Sequence, residues 1–161
     1  MKGRRGTRIP PKTRKALRET MQAQLYPSAR YREGRVLAET GIATAMIDLS
    51  DGLASDLTRL AEESGVGARI FADRIPVDPS TRQVAELVGL DPLRLALGGG
   101  EDFELLFTSG APSVTIEEAL VRKGFARPHA VGEIRPADEG LTLVALRGRR
   151  EPLGRGFEHF R

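Results

Sequence analysis

The chain has 161 residues, with 25 Lys and Arg against 22 Asp and Glu, a formal net charge of +3, 40% hydrophobic residues and neither cysteine nor tryptophan. That length suits one domain with a sizeable core rather than two. Without cysteine there are no disulfides, no thiolate catalysis and no cysteine-ligated zinc, and no apolar run is long enough to span a bilayer, so a cytoplasmic protein is expected.

The charge is unevenly spread. Residues 1–24 hold eight basic side chains (Lys2, Arg4, Arg5, Arg8, Lys12, Arg14, Lys15, Arg18) against Glu19 alone, which leaves 17 basic and 21 acidic residues for the rest, a net −4. Such a tail is either an electrostatic footprint on nucleic acid or a solvated extension. No aromatic interleaves it and no nucleic-acid module follows, so residues 1–24 read as a basic, poorly ordered extension and nucleic acid is disfavoured.

Within the tail, "KTRKALRETMQAQL" can form a short helix with Ala16, Met21 and Leu25 as apolar contacts. Globular patterning starts at "YPSARYREGRVLAETG", with a helix carrying Val36, Leu37 and Ala38 that Gly41 ends. "ATAMID" reads as a buried strand. It runs into "GLASDLTRLAEESG", where Leu53, Leu57, Leu60 and Ala61 line one helix face and Gly65 is the stop. "ARIFAD" is a second strand, and one or two brief helices are expected around 84–88 and 92–97. "EDFELLFTS" alternates Phe103, Leu105 and Phe107 with Asp102, Glu104 and Leu106, the period of a strand with one well-buried face. "APSVTIEEALVRKG" has capping-box spacing from Thr115 to Glu118, and "HAVGEIRP" and "GLTLVAL" supply two more strands. Strands and helices alternate too loosely for a doubly wound sheet, so an α+β layer fold with a mixed sheet is expected.

Two stretches stand out chemically. In "AMIDLSDGLASDL" a helix N-cap at Ser50 or Asp51 explains one acid. Asp48 remains, a carboxylate at the end of an apolar strand, costly to desolvate without a partner. Asp48 and Asp51 at the mouth of a helix are either turn and cap residues or, with nucleotide phosphates, ligands of Mg²⁺, which takes one or two protein carboxylates. In "LGGGEDFELLF", Gly98, Gly99 and Gly100 permit close backbone approach just before Glu101 and Asp102; the string matches neither a Walker loop nor the dinucleotide fingerprint. The two histidines, His129 and His159, lack triad or zinc spacing and read as structural.

Taken together, "IDLSDGLASDL", "SGVGARI", "ALGGGEDFELLF", "VGEI" and "GFEHF" resemble, in order and rough spacing, the carboxy-terminal half of thiamine-monophosphate kinases, from about Leu25 to Arg161. The wider superfamily includes aminoimidazole ribonucleotide synthetase, selenophosphate synthetase and a hydrogenase-maturation protein. The resemblance implies a synthetase-like C-terminal α+β domain over 25–161, with a mixed, largely antiparallel sheet flanked by helices. It also implies ATP- and Mg²⁺-dependent phosphorylation of thiamine phosphate to thiamine diphosphate. By motif position Asp48 and Asp51 are implied metal ligands, Ser50 an ATP contact, and Glu101 and Phe157 contacts of the thiamine substrate. No catalytic base is implied, because the acceptor phosphate oxygen is ionised at neutral pH and alignment and charge neutralisation carry the chemistry. Members of the family are homodimers with an amino-terminal domain bearing further metal ligands and much of the ATP site. The chain therefore resembles half an enzyme, expected to have little or no kinase activity without that half, whether or not it exists as a separate polypeptide. A binding module that keeps part of the thiamine phosphate or nucleotide site without turnover is the alternative.

Overall fold

The computed structural model describes residues 10–154. Six α-helices and six strands are described: α1 (Pro11–Leu25), α2 (Tyr31–Glu39), β1 (Ala45–Leu49), α3 (Leu53–Ser64), β2 (Gly67–Phe71), α4 (Pro79–Val88), α5 (Pro92–Gly98), β3 (Glu104–Thr108), α6 (Ser113–Val121), β4 (Gly132–Arg135), β5 (Leu141–Val144) and β6 (Arg150–Pro152), with short 3₁₀ turns between some of them. The fold is α+β with largely antiparallel pairing, as expected. Its strands divide into two sheets. β1 and β3 form an antiparallel pair, and β4-β2-β5-β6 form a four-stranded sheet in which only β2 and β5 run parallel.

Local chemistry accounts for most boundaries. The apolar stripe of α3 buries Leu53, Leu57, Leu60 and Ala61, and Gly65 closes the helix in the left-handed conformation that glycine adopts without a Cβ penalty. Asp78 and Asp91 each cap a helix whose first residue is proline: Asp78 accepts from the Ser80 and Thr81 N–H groups, and Asp91 from that of Leu93. These caps start α4 at Pro79, earlier than apolar spacing alone suggests. α6 also begins early, at Ser113 with Pro112 as its N-cap and no side-chain cap bond, so the Thr115 to Glu118 spacing is not a capping box. β6, three residues long, was not anticipated.

The core forms where α3 lies between the two sheets. Leu53 and Leu57 pack with Ala68, Ile70 and Leu143 of the larger sheet, and Leu49 and Leu106 of the β1–β3 pair close over them. β3 has no single buried face: Leu105 to Thr108 are all half-buried, Leu106 against the core and Leu105 against Gly34 on α2. Helix α1 includes residues 11–24 of the basic stretch and packs on α4. Thr13 and Ala16 are buried, and the Glu19 carboxylate accepts from Ser80 Oγ. Met21 and Leu25, expected as apolar contacts, are instead exposed. Among the described residues no helix is long and apolar enough to cross a membrane.

Candidate functional site

The ends of β1 and β3 bring the two unusual stretches together. After Leu49 the chain turns through Ser50, Asp51 and Gly52 into α3; after α5 it passes through Gly99 to Phe103 into β3. The two connections zip together by backbone. Phe103 N–H donates to Leu49 C=O at 2.9 Å and Glu101 N–H to Ser50 C=O at 2.8 Å, extending the β1–β3 ladder past its last paired residues. Glycine is required for this approach. A Cβ on Gly100 would lie 2.7 Å from Ser50 O, and one on Gly52 would lie 2.9 Å from Gly99 O. Gly52 also holds φ 96° and ψ 152°, a region essentially confined to glycine. On the opposite strand of the seam Glu101 (φ 65°) and Phe103 (φ 50°) adopt left-handed conformations despite their side chains, a cost that surrounding contacts must offset.

Gly52, rather than Ser50 or Asp51, is the N-cap of α3, and no side chain caps the helix. The cap explanation for one of the two acids is therefore removed. Asp48 is exposed on β1, and its side chain forms no hydrogen bond or ion pair among the described residues. Asp51 lies with a quarter of its side chain exposed, its Oδ2 2.5 Å from Arg59 Nη1. Ser50 is half-buried beside it. Glu101 is exposed across the seam and accepts from Gln24 Nε2 of α1 at 3.0 Å. Its neighbour Asp102 has its carboxyl raised above the usual range, first by desolvation and then by repulsion from Glu104. Glu104 in turn is held by Arg30 through two hydrogen bonds, at 2.6 and 2.9 Å. Phe157 and His159 lie outside the described residues, as do Lys2, Arg4, Arg5 and Arg8. His129 sits exposed in the connection before β4.

The structure thus sets Ser50 against Glu101 by backbone, with Asp48 and Asp51 flanking Ser50 along the chain. Among the described residues no group of three or more His, Cys, Asp or Glu side chains is placed to hold a metal ion.

Two residues of this region escaped the sequence reading. Asp56 on α3 is fully buried, and its Oδ2 accepts both the Ser50 and the Asp51 backbone N–H at 3.0 Å. Arg59, one turn on, spans Asp51 and Asp56. The signal was present: position 56 falls on the same face as Leu53, Leu57 and Leu60, so an acid interrupts a core-facing stripe.

Comparison with known proteins agrees with this architecture. Residues 11–142 match the family model described as AIR synthase related protein, C-terminal domain. The thiamine-monophosphate kinase of Salmonella typhimurium is 44% identical over 130 residues, 77% of this chain and 37% of its own. A solved structure, AaThiL complexed with AMPPCP and TMP, superposes with a TM-score of 0.70 at 28% identity, covering 96% of this chain and 44% of that one. The thiamine-monophosphate kinase of Stenotrophomonas maltophilia gives a TM-score of 0.66 at 32% identity, covering 84% and 40%. The chain spans less than half the length of these relatives. The match starts at residue 11, so α1 falls inside the matched region, and on this footing the chain belongs to the AIR synthase related C-terminal domain family, in the company of thiamine-monophosphate kinases.

Proposed function

We propose that the chain contributes the metal- and substrate-facing loops of an ATP-dependent phosphotransferase that converts thiamine phosphate to thiamine diphosphate. The observation that carries this reading is the exposed Asp48 carboxylate near the end of an otherwise apolar strand, just ahead of Ser50–Asp51 and the glycine seam that meets them. Solvated there, it costs the fold little and leaves its oxygens open to a ligand.

The donor set fits magnesium. Asp48 and Asp51 offer hard oxygen ligands, and a carboxylate has about four lone-pair sites, so the contact of Asp51 with Arg59 does not preclude a metal on the same group. Bound there, Mg²⁺ would neutralise charge on the transferring phosphoryl group. The chain's own residues would do the rest by binding and alignment. Ser50 would contact ATP. Glu101 would face the cationic thiazolium of the thiamine substrate. Phe157 would stack on its rings, an interaction of about 1 kcal/mol. The acceptor phosphate is already ionised, so no general base is needed.

Calorimetric titration of the 161-residue chain with AMPPCP, with and without Mg²⁺, tests this reading. Binding is expected to require the metal and to weaken by about tenfold or more in Asp48→Asn. Binding that ignores both the metal and the substitution overturns it. A second reading is a thiamine phosphate binding module without turnover. It predicts a rise in Tm with thiamine phosphate and no thiamine diphosphate formed from ATP; measurable product from the purified chain excludes it.

A further inference from the structure

Asp56 is fully buried, and a buried carboxylate is tolerated only where its lone pairs are satisfied. A carboxylate in the first turn of a helix complements the helix dipole and can reach back to amides ahead of it. Asp56 carries that reach into the loop. It lies inside α3, its own N–H donates to Gly52 C=O as the first intrahelical bond, and its carboxylate reaches back out of the helix. There Oδ2 takes the Ser50 and Asp51 amides, both at 3.0 Å, while Oδ1 faces Arg59 Nη1 at 3.4 Å. The same Nη1 is 2.5 Å from Asp51 Oδ2. One buried carboxylate therefore fixes the loop twice: directly through two backbone amides, and indirectly through a cation that grips the Asp51 side chain.

We propose that Asp56 is the positioning residue of the Ser50–Asp51 loop, and that with Arg59 it pre-orients the Asp51 carboxylate before any ligand arrives. The proposal rests on the functional reading above and adds to it the residues that hold the site in shape. Its physical basis is entropic and electrostatic. A loop whose amides are already committed loses little freedom on binding, and a carboxylate held by one cation from the helix side keeps its orientation without needing a metal to set it. Mutation of comparable outer-shell partners costs metal sites about 10- to 100-fold in affinity.

Two measurements on the full chain decide it. Amide hydrogen exchange of the unliganded protein is expected to show the Ser50 and Asp51 N–H groups protected as strongly as the middle of α3, although they lie in a connection. Exchange at the rate of an exposed loop overturns the proposal without any variant. In Asp56→Asn, which keeps the side chain's shape, Mg²⁺-dependent binding of AMPPCP is expected to weaken by about tenfold or more. In Arg69→Gln, a variant destabilised far from the seam, it is expected to stay at the wild-type value. Equal binding by folded Asp56→Asn and wild type overturns the proposal; so does an equal loss in Arg69→Gln, which would make the effect one of general stability. If wild type binds no nucleotide with Mg²⁺, the functional reading is what fails, and the exchange pattern still decides the role of Asp56.

Discussion

Asp56 and Arg69 are both charged, both withdrawn from solvent and both paired, yet they serve different ends. Arg69 on β2, with 14% of its side chain exposed, reaches Glu133 on β4 at 2.8 Å and Glu139 in the following 3₁₀ turn at 3.0 Å. Glu133 is its direct cross-strand partner in a register that the β2–β4 ladder already fixes. Asp56 instead holds backbone amides of a connection next to the open Asp48 carboxylate. Burial and pairing of a charge thus do not mark a site by themselves. What distinguishes the two is what each holds: Arg69 ties side chains within one sheet, whereas Asp56 ties the backbone of a connection.

Four substitutions break or sharpen that contrast. Gly52→Ala should act most strongly, because its backbone is in a glycine-only region and the added Cβ would meet the Gly98–Gly99 backbone. Destabilisation of about 3 kcal/mol in urea unfolding is expected. Gly98→Ala, in the same glycine run but with open space at its Cβ, should shift stability by less than about 0.5 kcal/mol. Arg69→Gln should come next, losing about 1–2 kcal/mol as its charge-assisted bonds go, with no change in nucleotide affinity. Asp48→Asn should reverse that pattern. The exposed carboxylate contributes almost nothing to stability, so the unfolding midpoint should hold while Mg²⁺-dependent affinity falls by about tenfold, or 1.4 kcal/mol.

Asp102→Asn should be smallest and pH-dependent. Desolvation, with help from Glu104, raises the Asp102 carboxyl in the folded state, so the protonated form favours folding. The wild type keeps that contribution at acid pH and loses it as pH rises through the raised value. At neutral pH the Asn variant should therefore be the more stable, by less than about 0.5 kcal/mol after solvent screening, and the difference should vanish on acidification. Urea midpoints at pH 7 and pH 3.5 check the sign.

The sequence showed most where structure depends on near neighbours. α3 was legible because its apolar stripe and Gly65 lie within one segment, and the same holds for the presence of β1, β2, β4 and β5, although β1, expected as a buried strand, is half-exposed, with Met46 and Asp48 facing out. The starts of α4 and α5 are equally local, written in Asp78-Pro79 and Asp91-Pro92, where cap chemistry rather than apolar spacing sets the boundary. The seam is different. That Gly100 must pass within a backbone's width of Ser50 depends on α5 returning the chain beside β1, which no short window contains. Glycine-rich sequence gave permission for such an approach without naming its partner. Asp51 was assigned from its motif alone, and its contact with Arg59 follows only once α3 exists. Met21 and Leu25 show the converse: apolar identity suggested burial, but α1 turns Thr13 and Ala16 toward α4 and leaves those two outside.

The central claim is that the end of β1 and the connection after it hold a divalent ion together with nucleotide phosphate. Paramagnetic broadening by Mn²⁺, used in place of Mg²⁺ with AMPPCP present, reports the ion's location residue by residue in the intact chain. The account predicts broadening centred on the amides of residues 48–52 and on those of 100–102 across the seam, reduced in Asp48→Asn. Broadening centred instead on Glu133 and Glu139, or a spectrum that Asp48→Asn leaves unchanged, would contradict it.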